Sequence, residues 1–169
     1  AGGRPLRERS GHTFMKTRVL VEHAALGGEG SGHVFFRELE GGDDGLYAAL
    51  RMLELMGRTE APLSALADSV PRYCLTRDIR VPFAGDAAAL IAALAEGARE
   101  HARLEFTDGV KAHYPGGWAL ARASVTEPAI TMRFEGRSPE VLRGIIASFL
   151  SAAPDLLAEA MAAADEALR

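Results

Sequence analysis

Residues 103–134 read RLEFTDGVKAHYPGGWALARASVTEPAITMRF, and this stretch decides the fold of the second half of the chain. Short apolar or alternating runs are separated by two turn signals, Asp108-Gly109 and Pro115-Gly116-Gly117. Such runs between tight turns are typical of antiparallel strands. The pattern predicts strands over 103–106, 110–114, 118–121 and 129–134.

The flanking segments supply helices. Residues 72–83 alternate weakly and predict a strand, and the alanine-rich run 86–102 predicts a helix. Ser138-Pro139 is typical of a helix start, and this helix should run to about residue 152. The order strand, helix, strands, helix favours an α+β arrangement with an antiparallel sheet and helices on one face.

The first part of the chain has a different pattern. Residues 12–23 carry apolar side chains at helical spacing, and Asp43 or Asp44 caps a second helix that ends at Gly57. Pro62 opens a short helix and Pro71 closes it, which places a domain boundary in this stretch. We therefore expect three parts, 1–62, 63–152 and a C-terminal helix over 153–169.

A glycine-rich segment, residues 27–33, reads GGEGSGH. If it were extended, Glu29, Ser31 and His33 would point to one side and offer a carboxylate, a hydroxyl and an imidazole. This set of hydrogen-bonding groups suits the adjacent hydroxyls of a sugar. The alternative is a glycine-rich turn whose polar residues only face water.

A second polar segment, residues 122–128, reads RASVTEP between two apolar runs. A turn that carries Arg122, Ser124 and Thr126 offers a guanidinium, two hydroxyls and backbone N–H groups, and these donors suit a phosphate. The alternative is a solvated hairpin turn with an arginine on its rim.

Several motifs together resemble the α-D-phosphohexomutase family, the phosphomannomutases and phosphoglucomutases. The matching stretches are GHTFMK (11–16), GEGSGHVFF (28–36), DDGLYAAL (43–50), DGVK (108–111), GWAL (117–120), RASVTEP (122–128) and RFE (133–135). They occur in the family's order. The resemblance implies an α/β plus α+β chain: an incomplete third mutase domain, with a mixed sheet and helices, followed by a fourth domain similar to half of a TATA-box-binding protein.

The resemblance also implies the site residues. In the family, the first segment is the sugar-binding loop and the second is the phosphate-binding loop, and a histidine at position 12 lies close to the bound phosphosugar. The implied substrate-binding residues are His12, Glu29, Gly30, Ser31, Gly32 and His33, together with Arg122, Ala123, Ser124, Val125 and Thr126. Val125 stands where the family usually has asparagine, so one side-chain donor is lost.

Two family motifs do not occur in this sequence: the loop whose serine is phosphorylated and the aspartate loop that holds magnesium. The resemblance thus implies the C-terminal part of an enzyme that interconverts hexose 1-phosphate and hexose 6-phosphate. We expect no catalytic or metal-binding residue in this chain, no activity of the chain alone, and Mg²⁺ and a hexose 1,6-bisphosphate activator in the complete enzyme. The alternative is a stand-alone, non-catalytic sugar-phosphate-binding module.

Composition limits the partners. A net charge of −4 and a pI near 5.8 give no general attraction to nucleic acid or anionic membranes. The single cysteine, Cys74, favours a reducing cytoplasm, and no apolar run approaches the ~20 residues of a membrane span. The expected partners are a hexose phosphate and the missing N-terminal domains, with no nucleic acid and no membrane.

Overall fold

A computed structural model of the chain describes residues 2–124 and 127–168. The chain divides into two compact units, which meet between Pro71 and Arg72. The elements of the first unit are α1 (His12–Val21), β1 (Leu26–Gly28), β2 (Val34–Phe36), β3 (Gly42–Asp43), α2 (Gly45–Gly57) and α3 (Leu63–Asp68). Those of the second are β4 (Cys74–Leu75), β5 (Ile79–Pro82), α4 (Ala87–Ala98), β6 (Arg103–Glu105), β7 (Val110–Tyr114), β8 (Gly117–Ala123), β9 (Ala129–Gly136), α5 (Pro139–Phe149) and α6 (Leu157–Ala167).

The first unit has a three-stranded sheet in the order β1-β2-β3. Both strand pairs are antiparallel, whereas the resemblance implied a mixed sheet. The connections explain the difference, since β1 and β2 are joined by a hairpin and a parallel pair would need a crossover of a dozen or more residues. α1 packs against β1 and β2.

Few apolar side chains are buried in the first unit. Val19, Phe35 and Phe36 are the buried hydrophobic residues among those described there. In contrast, Leu46 and Leu53 on α2 are 73% and 63% exposed.

The sheet of the second unit follows the predicted hairpins. Its order is β4-β9-β8-β7-β6, with β5 also paired to β9, and every pairing is antiparallel. The strand predicted over 72–83 is interrupted between β4 and β5. Thr76 lies in this gap and is buried; its backbone N–H donates to the carbonyl of Phe134, and its hydroxyl accepts the N–H of Phe134. These two bonds replace regular ladder bonds.

Two helices of the second unit, α4 and α5, begin where capping residues predict. The Asp86 side chain accepts the N–H of Ala89 at the start of α4, and the Ser138 hydroxyl accepts the N–H of Val141 at the start of α5. α4 and α5 pack on β7–β9 and bury one face of the sheet. The largest buried side chains of this core are Ile79, Leu94, Ile130, Met132, Phe134, Leu142, Ile146, Phe149 and Leu150.

The unit boundaries differ from the expected division at residues 62 and 152. Residues 63–71, including α3, belong to the first unit. α6 packs on α5, and its Ala160, Ala163 and Ala164 join the core of the second unit. Small side chains allow α6 to approach α5 closely, so the C-terminal helix is part of this unit.

Candidate functional site

The glycine-rich segment forms the turn of the β1–β2 hairpin. Residues 29–33 of this segment form the turn itself and are not an extended strand: the N–H of Gly32 donates to the carbonyl of Glu29 at 3.0 Å, and the N–H of Glu29 donates to the carbonyl of His33 at 3.0 Å. Gly32 has φ +91°, a value that favours glycine. Gly30 is exposed and has no positive φ, so the turn does not require glycine there.

Glu29 joins this turn to the start of α1. One of its carboxylate oxygens accepts the backbone N–H of Gly11 at 2.9 Å, and the other accepts the Ser31 hydroxyl at 3.1 Å. Gly11 directly precedes His12, the first residue of α1, and the His12 ring makes an edge contact with Phe35 of β2 at 5.2 Å between centroids. Residues separated by almost 20 positions in sequence thus share one surface.

His33 is held by a residue that the sequence assigned to another role. Its Nδ1 lies 2.5 Å from a carboxylate oxygen of Asp43, and the other oxygen of Asp43 accepts the N–H of Val34 at 3.3 Å. Asp44 is the cap of α2, because its side chain accepts the N–H of Tyr47 at 2.9 Å. The two adjacent aspartates therefore have separate functions.

In the second unit, β8 extends further along the chain than the sequence predicted. Arg122 and Ala123 belong to β8 and pair with Thr131 and Ile130 of β9. A turn that carries Arg122 was therefore wrong: this arginine lies at the end of a strand. The Arg122 guanidinium is 3.4 Å from the Asp108 carboxylate, and its side chain remains 25% exposed.

The backbone N–H of Ser124 is not free to bind an anion. It donates to the carbonyl of Ala129 at 2.8 Å, just beyond the paired residues of β8 and β9. Val125 and Thr126, two of the predicted phosphate contacts, lie outside the described residues. The described donors at this end of the strand are the Arg122 guanidinium and the Ser124 hydroxyl.

Asp43 and Asp108 are the two neighbours of the site that sequence reasoning missed. The signal lies in strand register: Phe35 faces Asp43 across β2 and β3, and Val110 faces Ala121 across β7 and β8. His33 lies two residues before Phe35, and Arg122 lies one residue after Ala121, so each is a diagonal neighbour of the aspartate that it contacts. With the register known, both carboxylates could be placed beside their partners.

Neither a cluster of metal ligands nor a membrane-spanning helix occurs in the described part of the chain. Within residues 2–124 and 127–168, no group of three or more His, Cys, Asp or Glu side chains could hold a metal ion. No helix in these ranges has the length and apolar character that a membrane span needs.

Comparison with known proteins identifies both halves of the chain. Residues 1–73 match the phosphoglucomutase/phosphomannomutase alpha/beta/alpha domain III, and residues 79–152 match the C-terminal domain of phosphoglucomutase/phosphomannomutase. Together these matches cover most of the 169 residues.

Individual relatives agree with this assignment. A phosphomannomutase/phosphoglucomutase of Pseudomonas syringae pv. tomato is 37% identical over 162 residues, which are 92% of this chain and 35% of the relative. A probable phosphoglucosamine mutase of Methanocella arvoryzae is 36% identical over 135 residues, covering 79% and 31% of the two proteins. The crystal structure of a phosphoglucomutase/phosphomannomutase family protein from Burkholderia thailandensis is similar with a TM-score of 0.78 and 36% identity, over 94% of this chain and 33% of that one.

The chain thus spans about a third of the length of these relatives. The antiparallel hairpins, the GEGSGH turn of the first unit and the arginine at the end of β8 lie within the two matched regions. The chain belongs to the phosphoglucomutase/phosphomannomutase family.

Proposed function

We propose that this chain is the sugar- and phosphate-recognising part of a phosphohexomutase, an enzyme that interconverts hexose 1-phosphate and hexose 6-phosphate. The observation that carries the proposal is the Glu29 carboxylate, which ties the hairpin turn to the start of α1. This bond gathers His12, Glu29, Ser31 and His33 on one surface of the first unit. Membership of the phosphoglucomutase/phosphomannomutase family supports sugar binding as the role of that surface.

In this proposal the first unit binds sugar hydroxyls. Glu29 accepts hydrogen bonds, Ser31 both donates and accepts, and a neutral His33 does one of each. Gly30 and Gly32 carry no side chain, which leaves the turn open to a ligand. The relatives named above include enzymes for different sugars by their titles, so these groups support a hexose phosphate without selecting glucose, mannose or glucosamine.

The second unit would bind the phosphate that is not reacting. The Arg122 guanidinium can pair with a phosphate through two parallel N–H bonds, and the Ser124 hydroxyl can add a third donor. The resemblance adds Ala123, Val125 and Thr126 to this proposed phosphate site, and the hydroxyl of Thr126 would be a further donor. Binding at a distance from the reacting bond is useful, because remote binding energy can orient the reacting end of the substrate.

The chemical step itself would depend on groups outside this sequence. We assign no residue of this chain to Mg²⁺, because the aspartate loop that holds magnesium in the family does not occur in its sequence. The phosphoserine loop, Mg²⁺ and a hexose 1,6-bisphosphate activator would act through the N-terminal domains of the complete enzyme. We expect the 169-residue chain alone to show no mutase turnover with these additions.

Titration with glucose 1-phosphate and with inorganic phosphate tests the proposal. Arg122→Ala removes a charge-assisted contact worth about 1.5–3 kcal/mol, so affinity for both ligands should fall by roughly ten- to hundred-fold. Glu29→Ala should weaken binding of the sugar phosphate and leave binding of inorganic phosphate unchanged. Arg99→Ala is the matched control, because Arg99 is an exposed arginine directly after α4 that forms an ion pair with Glu96, three residues earlier in the chain.

Calorimetry or amide chemical shifts can follow each titration. If Arg122→Ala and Arg99→Ala bind both ligands equally well, the end of β8 is an ordinary strand end and the phosphate assignment is wrong. If Glu29→Ala weakens both ligands to the same degree, the hairpin does not recognise the sugar.

A further inference from the structure

Contacts within the first unit hold Asp43 in position without a ligand. It lies on β3, opposite Phe35 of β2, so the sheet sets its backbone position. One carboxylate oxygen accepts the N–H of Val34, and the side chain is only 17% exposed. The His33 side chain beside it is 56% exposed. The aspartate is therefore the less exposed partner and is held by a second hydrogen bond, and the histidine takes its orientation from it.

The contact also determines which nitrogen of His33 carries a proton. The distance between Nδ1 and Oδ2 is 2.5 Å, which is short for a hydrogen bond. An ionised carboxylate only accepts hydrogen bonds, so Nδ1 must donate. In a neutral imidazole the other nitrogen, Nε2, is then a hydrogen-bond acceptor.

We propose that Asp43 is a positioning residue that holds His33 as the Nδ1–H tautomer and so presents Nε2 as an acceptor for a sugar hydroxyl. The identity of the ligand rests on the proposed function, but the role of Asp43 does not. The neighbouring Asp44 has no such role, because its carboxylate caps α2. Two identical side chains, one residue apart, thus provide a matched comparison.

Imidazole ¹⁵N NMR of the 169-residue chain tests this assignment directly. At about pH 8, above the usual range for imidazole titration, two-bond proton–nitrogen correlations distinguish the two neutral tautomers. His33 should be the Nδ1–H tautomer. His113 is an internal reference for the other tautomer. Its Nε2 lies 3.0 Å from a Glu105 carboxylate oxygen, so His113 should be in the Nε2–H form.

Variants then separate positioning from folding. Asp43→Ala should shift His33 toward the Nε2–H tautomer, whereas Asp44→Ala should leave it unchanged. Asp43→Asn keeps the size of the side chain, and its amide can either accept from or donate to Nδ1, so it should give a mixture. Amide shifts of β1 and β2 show whether each variant remains folded.

Two results would overturn the inference: a wild-type His33 in the Nε2–H form, or an unchanged His33 spectrum in a folded Asp43→Asn variant. Should Asp43→Ala not fold, the wild-type tautomer and Asp43→Asn still decide. A glucose 1-phosphate titration of Asp43→Asn follows, with an expected affinity loss of roughly three- to ten-fold. If the wild-type chain binds no hexose phosphate, the proposed function fails, while the tautomer still decides the role of Asp43.

Discussion

Gly109→Ala should strongly destabilise the second unit, because Gly109 has a positive φ and also packs closely against the backbone of β8. Its φ is +70°, and a left-handed conformation costs an L-residue roughly 1–2 kcal/mol. A Cβ atom there would also lie 2.2 Å from the carbonyl oxygen of Ala121 and 2.7 Å from Cα of Arg122. These are backbone atoms of β8 that cannot rotate away, and such overpacking costs about 1–3 kcal/mol. We expect a total loss of about 2–5 kcal/mol.

Gly144→Ala is the matched control in the same unit. Gly144 lies in the middle of α5, and an added Cβ would meet no atom within 4 Å. Alanine in a helix interior should therefore stabilise the unit by about 0.5–1 kcal/mol. The same substitution should change stability in opposite directions at the two glycines.

Urea unfolding followed by the fluorescence of Trp118 measures this difference. Trp118 is the one tryptophan of the chain and lies on β8, so its signal reports the second unit. The midpoint for Gly109→Ala should fall by about 1 M or more, and that for Gly144→Ala should rise. An unchanged midpoint for Gly109→Ala would refute the argument, because it would show that the turn at 108–109 does not press on β8 in solution.

Four further predictions concern the stability of single side chains and of the two units. Tyr114→Phe should raise the free energy of unfolding by about 1 kcal/mol, because the Tyr114 hydroxyl is buried without a partner of hydrogen-bonding geometry among the described residues; a loss of stability in thermal unfolding would contradict this. Burial raises the pKa of Tyr114, and the Ser148 side chain opposes this shift as the smaller effect. The free energy of unfolding should therefore not depend on the ionisation of this group below pH about 10 and should decline at higher pH, a decline that Tyr114→Phe should reduce in unfolding measured across that range. Asp44→Ala should cost about 1 kcal/mol through loss of the α2 cap, seen as lower helicity and an earlier thermal transition of the first unit. Hydrogen exchange should be roughly ten-fold or more slower in β8 and β9 than in β1 and β2, since the second unit has the larger buried core; equal protection would indicate a stability that burial does not explain.

Local sequence was enough to determine most elements of this protein. The Asp108-Gly109 and Pro115-Gly116 turns set antiparallel neighbours, and Ser138 followed by Pro139 set the start of α5, because turns and caps depend on residues a few positions apart. The motifs in their order were likewise sufficient to identify the family. Both the element assignments and the family identification therefore depended on residues close together in the sequence.

What the sequence left open depends on contacts between distant residues. Asp43 and Asp44 are equally good helix caps in sequence. The register of β2 and β3 places Asp43 beside His33 and leaves Asp44 as the cap of α2. Arg122 reads as part of a turn until its pairing with Thr131 extends β8 past it. Burial and register are fixed by the assembled sheet, so the partners of the site residues were decided by tertiary structure.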